Sequence, residues 1–374
     1  MLDLGARRIE GRINRVATET VQTNARVVRN VKRREGHGLV VQNRKQEVTR
    51  ELARHFAFDV SVGLRGKRKS LPFRYLYDSA GSKLFEQICL QPEYYPTRTE
   101  ASILAKFSPM IAQLLNNRAI SVIELGSGKS TKTKILLEQF KAMAKEVVYF
   151  PIDISDAILH ETAVSLTTEL GINVIAIPAE YSKGIKKANK IISKSRIFPR
   201  KLILFLGSSI GNFEPREAAA FLRMIRETMK EGDVLLIGFD LHKDRRMLDA
   251  AYNDKNGITA RFNLNLLERI NMELQGQFDI DKFAHIAFYN EKLRRIEMHL
   301  VSKEDQNIYI AYLDKFFHFE RGETIHTENS YKYDIHQIKD IAKGSGLILK
   351  DRFMDEKKWF CLALFIQDDC YQKR

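Results

Sequence analysis

Cysteine is scarce: Cys89, Cys361 and Cys370 are the only three in 374 residues, and none forms a CxxC pair. That excludes a disulfide framework and makes a reducing cytosol the default location, so a cytoplasmic protein is expected. The nine histidines include no HExxH and no Cys/His cluster, so no metal is expected. Long apolar runs are missing as well. LILFLG (202–207) and CLALFI (361–366) have strand length, far below the ~20 residues of a membrane span. The first residues show no apolar stretch of the secretory kind. What is present is a hydrophobic share of 44% and an aromatic share of 10%, enough for one elaborate domain or two.

The net charge of +14 raises the question of a nucleic-acid partner, and its distribution answers it. Residues 1–70 carry 17 Lys/Arg against 7 Asp/Glu, a surplus of 10, which leaves +4 for the remaining 304 residues. The excess sits in an arm over residues 1–45, extended by RGKRK at 65–69. Such an arm reads as a solvated tail, with weak polyanion binding or a transit-like peptide as alternatives, and not as a nucleic-acid-binding domain.

Between 120 and 250 the pattern alternates. Apolar strands are expected at 120–125, 147–153, 173–179, 201–207 and 233–240, with helices at 132–143, 156–170 and 215–230 between them. Strands interleaved with helices imply parallel βαβ units, and unbroken apolar runs imply burial on both faces. The fold class expected is α/β, a doubly wound Rossmann-like sheet with a second, α+β substrate-binding domain or lid. Residues 243–335 break the rhythm with a helical stretch and an expected hairpin of 294–302 with 308–314. A helix at 334–345 and two further strands then return to the sheet. The domain division expected is 1–45 as the arm, 46–100 with 243–335 as the substrate-binding part, and 101–242 with 336–374 as the cofactor-binding part.

IELGSGKSTKTK (123–134) ends a strand in glycines and starts a helix. Ligands of doubly wound sheets bind at such strand ends, where Gly126 and Gly128 let backbone approach them. A dinucleotide site would want a third glycine at 131, where threonine stands. Asp153 ends the next strand and can take both hydroxyls of a ribose, or can cap the following helix together with Ser155. Glu180 and Tyr181 follow the third strand, and LGSSIGN (206–212) the fourth. Adenosine carrying a carboxylate-bearing chain fits this crevice better than two nucleotides, and S-adenosyl-L-methionine is such a molecule.

LYDSAGSKLFEQICLQPEYYPTRTE, PIDIS, FLGSSIGNFEP, AAYNDKNGITARFNLNLLERIN, RRIEMHL and TENSYKY, in this order and spacing over about 66–370, resemble the histidine-specific N-alpha-methyltransferases. Those enzymes make hercynine on the ergothioneine route. The resemblance implies cofactor contacts at Gly126, Lys132, Asp153 and Glu180-Tyr181, where the family usually has Asp-Phe. It implies amino-acid contacts at Tyr94, Gly207, Asn212 and Tyr252, with Asn212 and Tyr252 clamping the carboxylate. Tyr77 falls near the methylated nitrogen, and Tyr77 and Tyr94 are the residues implied at the chemistry. Glu328 and Ser330 fall on the imidazole, lined by Met298. Within TENSYKYD (327–334), alternation puts Glu328, Ser330 and Lys332 on one strand face and Asn329 and Tyr331 on the other. A carboxylate and a hydroxyl side by side suit a ring with two nitrogens. The implied function is N-alpha-methylation of L-histidine by a monomer; the alternative is methylation of another amino acid such as tryptophan or a histidine derivative. His242, His285 and His326 are read as structural.

Overall fold

The structure, a computed structural model, describes residues 53–115, 119–143, 145–195 and 200–368. The expected basic arm at 1–45 and Cys370 lie outside the described residues. The chain divides into two compact units, Met1–Asp59 and Val60–Arg374. The second carries both large sheets.

The larger sheet starts at its centre. Strand β1 (Ala119–Leu125) pairs in parallel with β2 (Glu146–Asp153) on one side and with β3 (Lys201–Phe205) on the other. β4 (Val234–Asp240) continues in parallel beyond β3. The runs expected to be buried on both faces are so: Ile123 and Leu125 point into one apolar layer, Ile120 and Val122 into the other. Helices supply the covers because each crossover must pack its apolar stripe back onto the strands. The chain leaves β1 toward β2 and returns to β3 on the opposite side, so the winding reverses between β1 and β3, the place where such sheets bind ligands. The third expected strand shrinks to two-residue pairings at Asn173–Val174 and Ile177–Pro178. The edge beyond β4 is antiparallel, formed by the hairpin of two later strands, Leu347–Met354 and Phe360–Gln367.

Helix α1 (Ser79–Leu90) starts at Asp78, whose carboxylate accepts from the Gly81 amide at 2.7 Å. Helix α2 spans Tyr95–Leu114. Pro96 stands in its first turn, where the fixed φ of proline suits a helix start. Helices α3 (Thr131–Ala142), α4 (Arg245–Ala251) and α5 (Ile258–Leu274) matter below.

The second sheet contains β5 (Phe283–Asn290), β6 (Arg295–Ser302) and β9 (Thr324–Tyr331), with Lys69–Ser70 as a short parallel edge beside β9. The hairpin expected between 294–302 and 308–314 does not form. β6 pairs with β5 and β9, whereas β7 (Gln306–Ile310) pairs with β8 (Lys315–Phe319). The physical reason is that β6 is a central strand whose two edges are both taken. The turn after Asn290, with Arg294 at φ 52°, closes β5 onto β6 and so occupies that edge.

β9 pairs with β6 in one register up to His326 and in another from Glu328 onward, so Thr327 is an inserted residue, a bulge. The inserted side chain is fully buried, and its hydroxyl donates to Asn263 Oδ1 at 2.7 Å. The strand then runs on to meet the large sheet: the Tyr333 amide donates to the Asp240 carbonyl at 2.9 Å, and the His242 amide to the Tyr333 carbonyl at 3.0 Å.

Candidate active site

The loop after β1 holds Gly126 at φ 71° and Gly128 at φ 49°. A side chain at Gly126 would sit 3.1 Å from the Tyr181 hydroxyl, and Gly128 faces open space. Ser130, at φ 54°, is a strained residue for L-stereochemistry. Its hydroxyl pairs with that of Tyr149 at 2.6 Å, and Tyr149 also bonds Glu124, which accepts from Thr133 at 2.5 Å. Burial pushes the Glu124 carboxyl up to about 7, against those two hydrogen bonds. This buried knot holds the loop in shape. Asp153, at the tip of β2, accepts from the Gly128 amide and the Ser155 amide, each at 3.0 Å. The next helix, Asp156–Leu170, begins at Ser155 with no side-chain cap hydrogen bond, so Asp153 steadies the approach to that helix and does not cap it. Glu180 is largely exposed, 3.8 Å from Lys183. Tyr181 packs between Phe205 and Phe221, its ring centre 5.5 and 5.7 Å from theirs.

The loop after β3 repeats the device. Gly207 has φ 78°, and the next residue, Ser208, has φ 60°. The Ser208 hydroxyl accepts from the Asp240 amide at 2.8 Å. The Gly207 amide donates to both oxygens of Glu100 at 3.0 and 2.9 Å, and Glu100 also pairs with Lys132. Burial lowers the Lys132 ammonium, and Glu100 more than reverses this, so the pair is ionic. One buried carboxylate thus ties the first loop's helix to the second loop. Sequence reading passed over Glu100; the signal was an acid three and four residues before the apolar Ile103 and Leu104 of a helical stripe.

A cavity opens beside this second loop. Tyr77, Tyr94, Gly207, Asn212, Tyr252, Met298, Glu328 and Ser330 all line it, joined by Phe85 and Phe262, which the sequence did not flag. The aromatic members interlock edge to face: Tyr77 lies 5.5 Å from Phe85 and 5.4 Å from Phe262, and Tyr94 lies 6.1 Å from Tyr252. Asn212 ends a short turn, Ser209–Asn212, and the helix at Pro215 is capped by Glu214 with Glu217. Burial raises the hydroxyls of Tyr77 and Tyr94 well above the usual tyrosine range. Both stay protonated near neutrality.

The far wall is β9. Glu328 is fully enclosed, and its Oε2 has no hydrogen-bond partner. Burial pushes its carboxyl up to about 7, although Lys332 and the Tyr77 hydroxyl pull the other way. Ser330 Oγ accepts from the Tyr252 hydroxyl at 2.7 Å and from Lys332 at 2.8 Å. Lys332 in turn bonds Asp240, which also holds the Tyr95 hydroxyl at 2.7 Å and pairs with Lys243. Burial would raise Asp240, and the two lysines hold it below the usual carboxylate range. His285 hydrogen-bonds the Tyr252 carbonyl at 2.9 Å and supports this wall from behind. Among the described residues no cluster of His, Cys, Asp and Glu is arranged to hold a metal ion, and no helix is long and apolar enough to cross a membrane.

Comparison with known proteins follows the same lines. Residues 56–367 match the family model for SAM-dependent histidine-specific methyltransferases. The histidine N-alpha-methyltransferase of Mycobacterium tuberculosis is 38% identical over 317 residues, 84% of this chain and 96% of that protein. That of Mycolicibacterium smegmatis is 40% identical over 310 residues, 83% of this chain and 94% of its own length. Ergothioneine biosynthesis protein 1 of Schizosaccharomyces pombe is 30% identical over 293 residues, which are 77% of this chain and 37% of that longer protein.

Proposed function

This chain belongs to the SAM-dependent histidine-specific methyltransferase family, and on that premise we propose that it methylates the α-amine of L-histidine to the trimethylated betaine, hercynine. The observation that carries the reading is Glu328: a buried carboxylate with an unpartnered oxygen in an aromatic cavity, one strand step from a hydroxyl. An unpaired buried acceptor costs ~1–3 kcal/mol until a ligand N–H satisfies it, which favours an imidazole ring over an apolar one.

The division of labour follows from the walls. Residues 101–242 with 336–374 form the cofactor side, and 46–100 with 243–335 the substrate side. Gly126, Asp153, Glu180 and Tyr181 would hold the nucleoside, with Lys132 near the carboxylate-bearing chain. The donor set fits such a group: glycines at positive φ, an acid at a strand tip and a lysine beside the second loop. When bound, S-adenosylmethionine would supply a methyl group activated on a sulfonium sulfur, with the neutral sulfide of S-adenosylhomocysteine as the leaving group for attack by a neutral amine. Asn212 and Tyr252 grip the substrate carboxylate, Glu328 and Ser330 the ring, with Met298 beneath it. Gly207 and Tyr94 flank the amine, and Tyr77 faces it. Gripping both ends and leaving the nitrogen free lets it rotate and grow through three transfers. Desolvation and alignment carry most of the rate. The α-ammonium of the free amino acid must shed a proton before it can attack, and removal from water into the cavity favours the neutral amine. A cytoplasmic monomer acting on the free amino acid completes the proposal.

The test is mass spectrometry of products from L-histidine and methyl-labelled cofactor. Three labelled methyl groups on the α-nitrogen are expected; no transfer to histidine, or preferred transfer to tryptophan, would overturn the reading.

A further inference from the structure

We propose that Glu214 is a positioning residue that locks the turn carrying Asn212 onto β9, and that this lock sets the length of substrate the cavity accepts. This rests on the histidine reading above, in which Asn212 grips the carboxylate and Glu328 with Ser330 the ring.

The two grips come from different parts of the fold. Asn212 ends the turn Ser209–Asn212 after β3, whereas Glu328 and Ser330 stand on β9. They lie far apart in the chain, so packing alone sets the distance between them. Two contacts do this. The turn presses directly on the β9 main chain: a Cβ at Gly211 would stand 2.9 Å from the Tyr331 carbonyl oxygen and 3.1 Å from its nitrogen, so glycine is what lets the two approach. The second contact is Glu214, two residues after Asn212. Its Oε1 accepts from Arg295 Nη1 at 2.8 Å and from Asn329 Nδ2 at 2.9 Å, and its Oε2 accepts from the Tyr331 hydroxyl at 2.7 Å. Arg295 Nη1 also donates to the Tyr331 hydroxyl oxygen at 2.7 Å, which leaves the phenol proton for Glu214. Arg295 is steadied in turn by Glu297 at 2.8 Å.

Arg295 stands opposite Tyr331 in the strand register, so the three donors converge on one point. Asn329 and Tyr331 hold the odd positions of β9, Glu328 and Ser330 the even ones. One strand therefore presents the ring grip on one face and, through Glu214, anchors the carboxylate grip with the other. Glu214 also starts the helix Pro215–Thr228. A serine or an aspartate could cap that helix as well; reaching three donors on β6 and β9 takes the longer side chain. Glu214 is half exposed, and a lone ion pair there would add little stability. Three donors on one carboxylate instead restrict its position, and with it the turn that carries Asn212.

The experiment titrates L-histidine and L-homohistidine, which is one methylene longer between α-carbon and ring, by calorimetry with S-adenosylhomocysteine present. A pocket of fixed length should favour histidine about ten- to two-hundredfold. Glu214→Ser keeps a helix-capping hydroxyl and removes the reach to β9. In that variant histidine affinity should fall about tenfold while homohistidine affinity holds, so the preference shrinks by the same factor. S-adenosylhomocysteine alone should bind as in the parent. Tyr331→Phe removes one of the three donors, leaves the cap untouched, and should shift the preference the same way by a smaller factor. A residue that only supported the fold would lower the melting temperature and weaken both amino acids alike. Retention of the full preference in folded Glu214→Ser would overturn the proposal, as would a parent that binds the two amino acids equally. Should Glu214→Ser not fold, Tyr331→Phe decides by the same readings. Failure of histidine to bind the parent would strike the functional reading instead.

Discussion

The two sides of the cleft are built from different materials. On the strand-end side, glycines at positive φ, main-chain amides and single hydroxyls shape two loops, and the buried carboxylates Glu100 and Glu124 brace them. On the β9 side the wall is a buried chain of ions and hydroxyls: Glu328, Ser330, Tyr252, Lys332, Asp240 and Lys243. The first design is general, because backbone can cradle any nucleoside with a charged tail. The second is selective, because each enclosed polar atom must find a particular partner.

If that contrast is right, the largest damage should come from breaking the ionic wall at its root. Asp240→Ala leaves Lys332 and Lys243 buried without their carboxylate, and a loss of ~3–5 kcal/mol of stability is expected in thermal or denaturant unfolding. A loss under ~1 kcal/mol would mean that the wall is wet and the contrast false. Glu328→Gln sharpens the comparison from the other direction. Glu328 has a folded pKa of about 7, above its ordinary 4.5, so its contribution is fully present below 4.5 and is lost as pH rises through 7. The ligand-free variant should therefore unfold at higher temperature than the parent at alkaline pH, by up to ~3 kcal/mol, with the gap closing in acid. Next comes Glu328→Ala, which should raise the histidine KM by ~1–3 kcal/mol, roughly five- to a hundredfold, while cofactor affinity holds. Equal losses in both would recast the residue as support for the fold. The smallest effect belongs to the loop side: Asp153→Ala should weaken cofactor binding about tenfold, ~1.4 kcal/mol, and spare histidine. Calorimetry with each ligand separates the two.

Much of the loop side was legible in the sequence because its signals are local. Strand, glycine turn and helix follow one another within twelve residues at 123–134, and Asp153 ends an apolar run. The ribbon side was legible only in part. Alternation placed Glu328, Ser330 and Lys332 on one face, yet the partner of Lys332 lies at Asp240, on another sheet, and nothing local announces that. Asp240 carried the same signal as Asp153, an acid closing an apolar strand, and went unread. The pairing of β6 was misjudged for a similar reason: strand partners depend on which edges are free, and the strand at 283–290 was missed. Glu100 shows that a charge on a helical apolar stripe should be followed up, since it joins Lys132 to Gly207.

The extra residue at Thr327 decides more than a local kink. Before it, His326 stands opposite His299; after it, Glu328 stands opposite Met298. Were the pairing regular to its end, Thr327 would take the place beside Met298 and every later side chain would change parity. Glu328 would then lie against Glu297 on the opposite face of the sheet, and Asn329 and Tyr331 would turn toward the cavity. Substrate choice in this protein is accordingly a matter of odd and even: one surplus position, pinned by a threonine hydroxyl, exchanges an entire wall for its reverse.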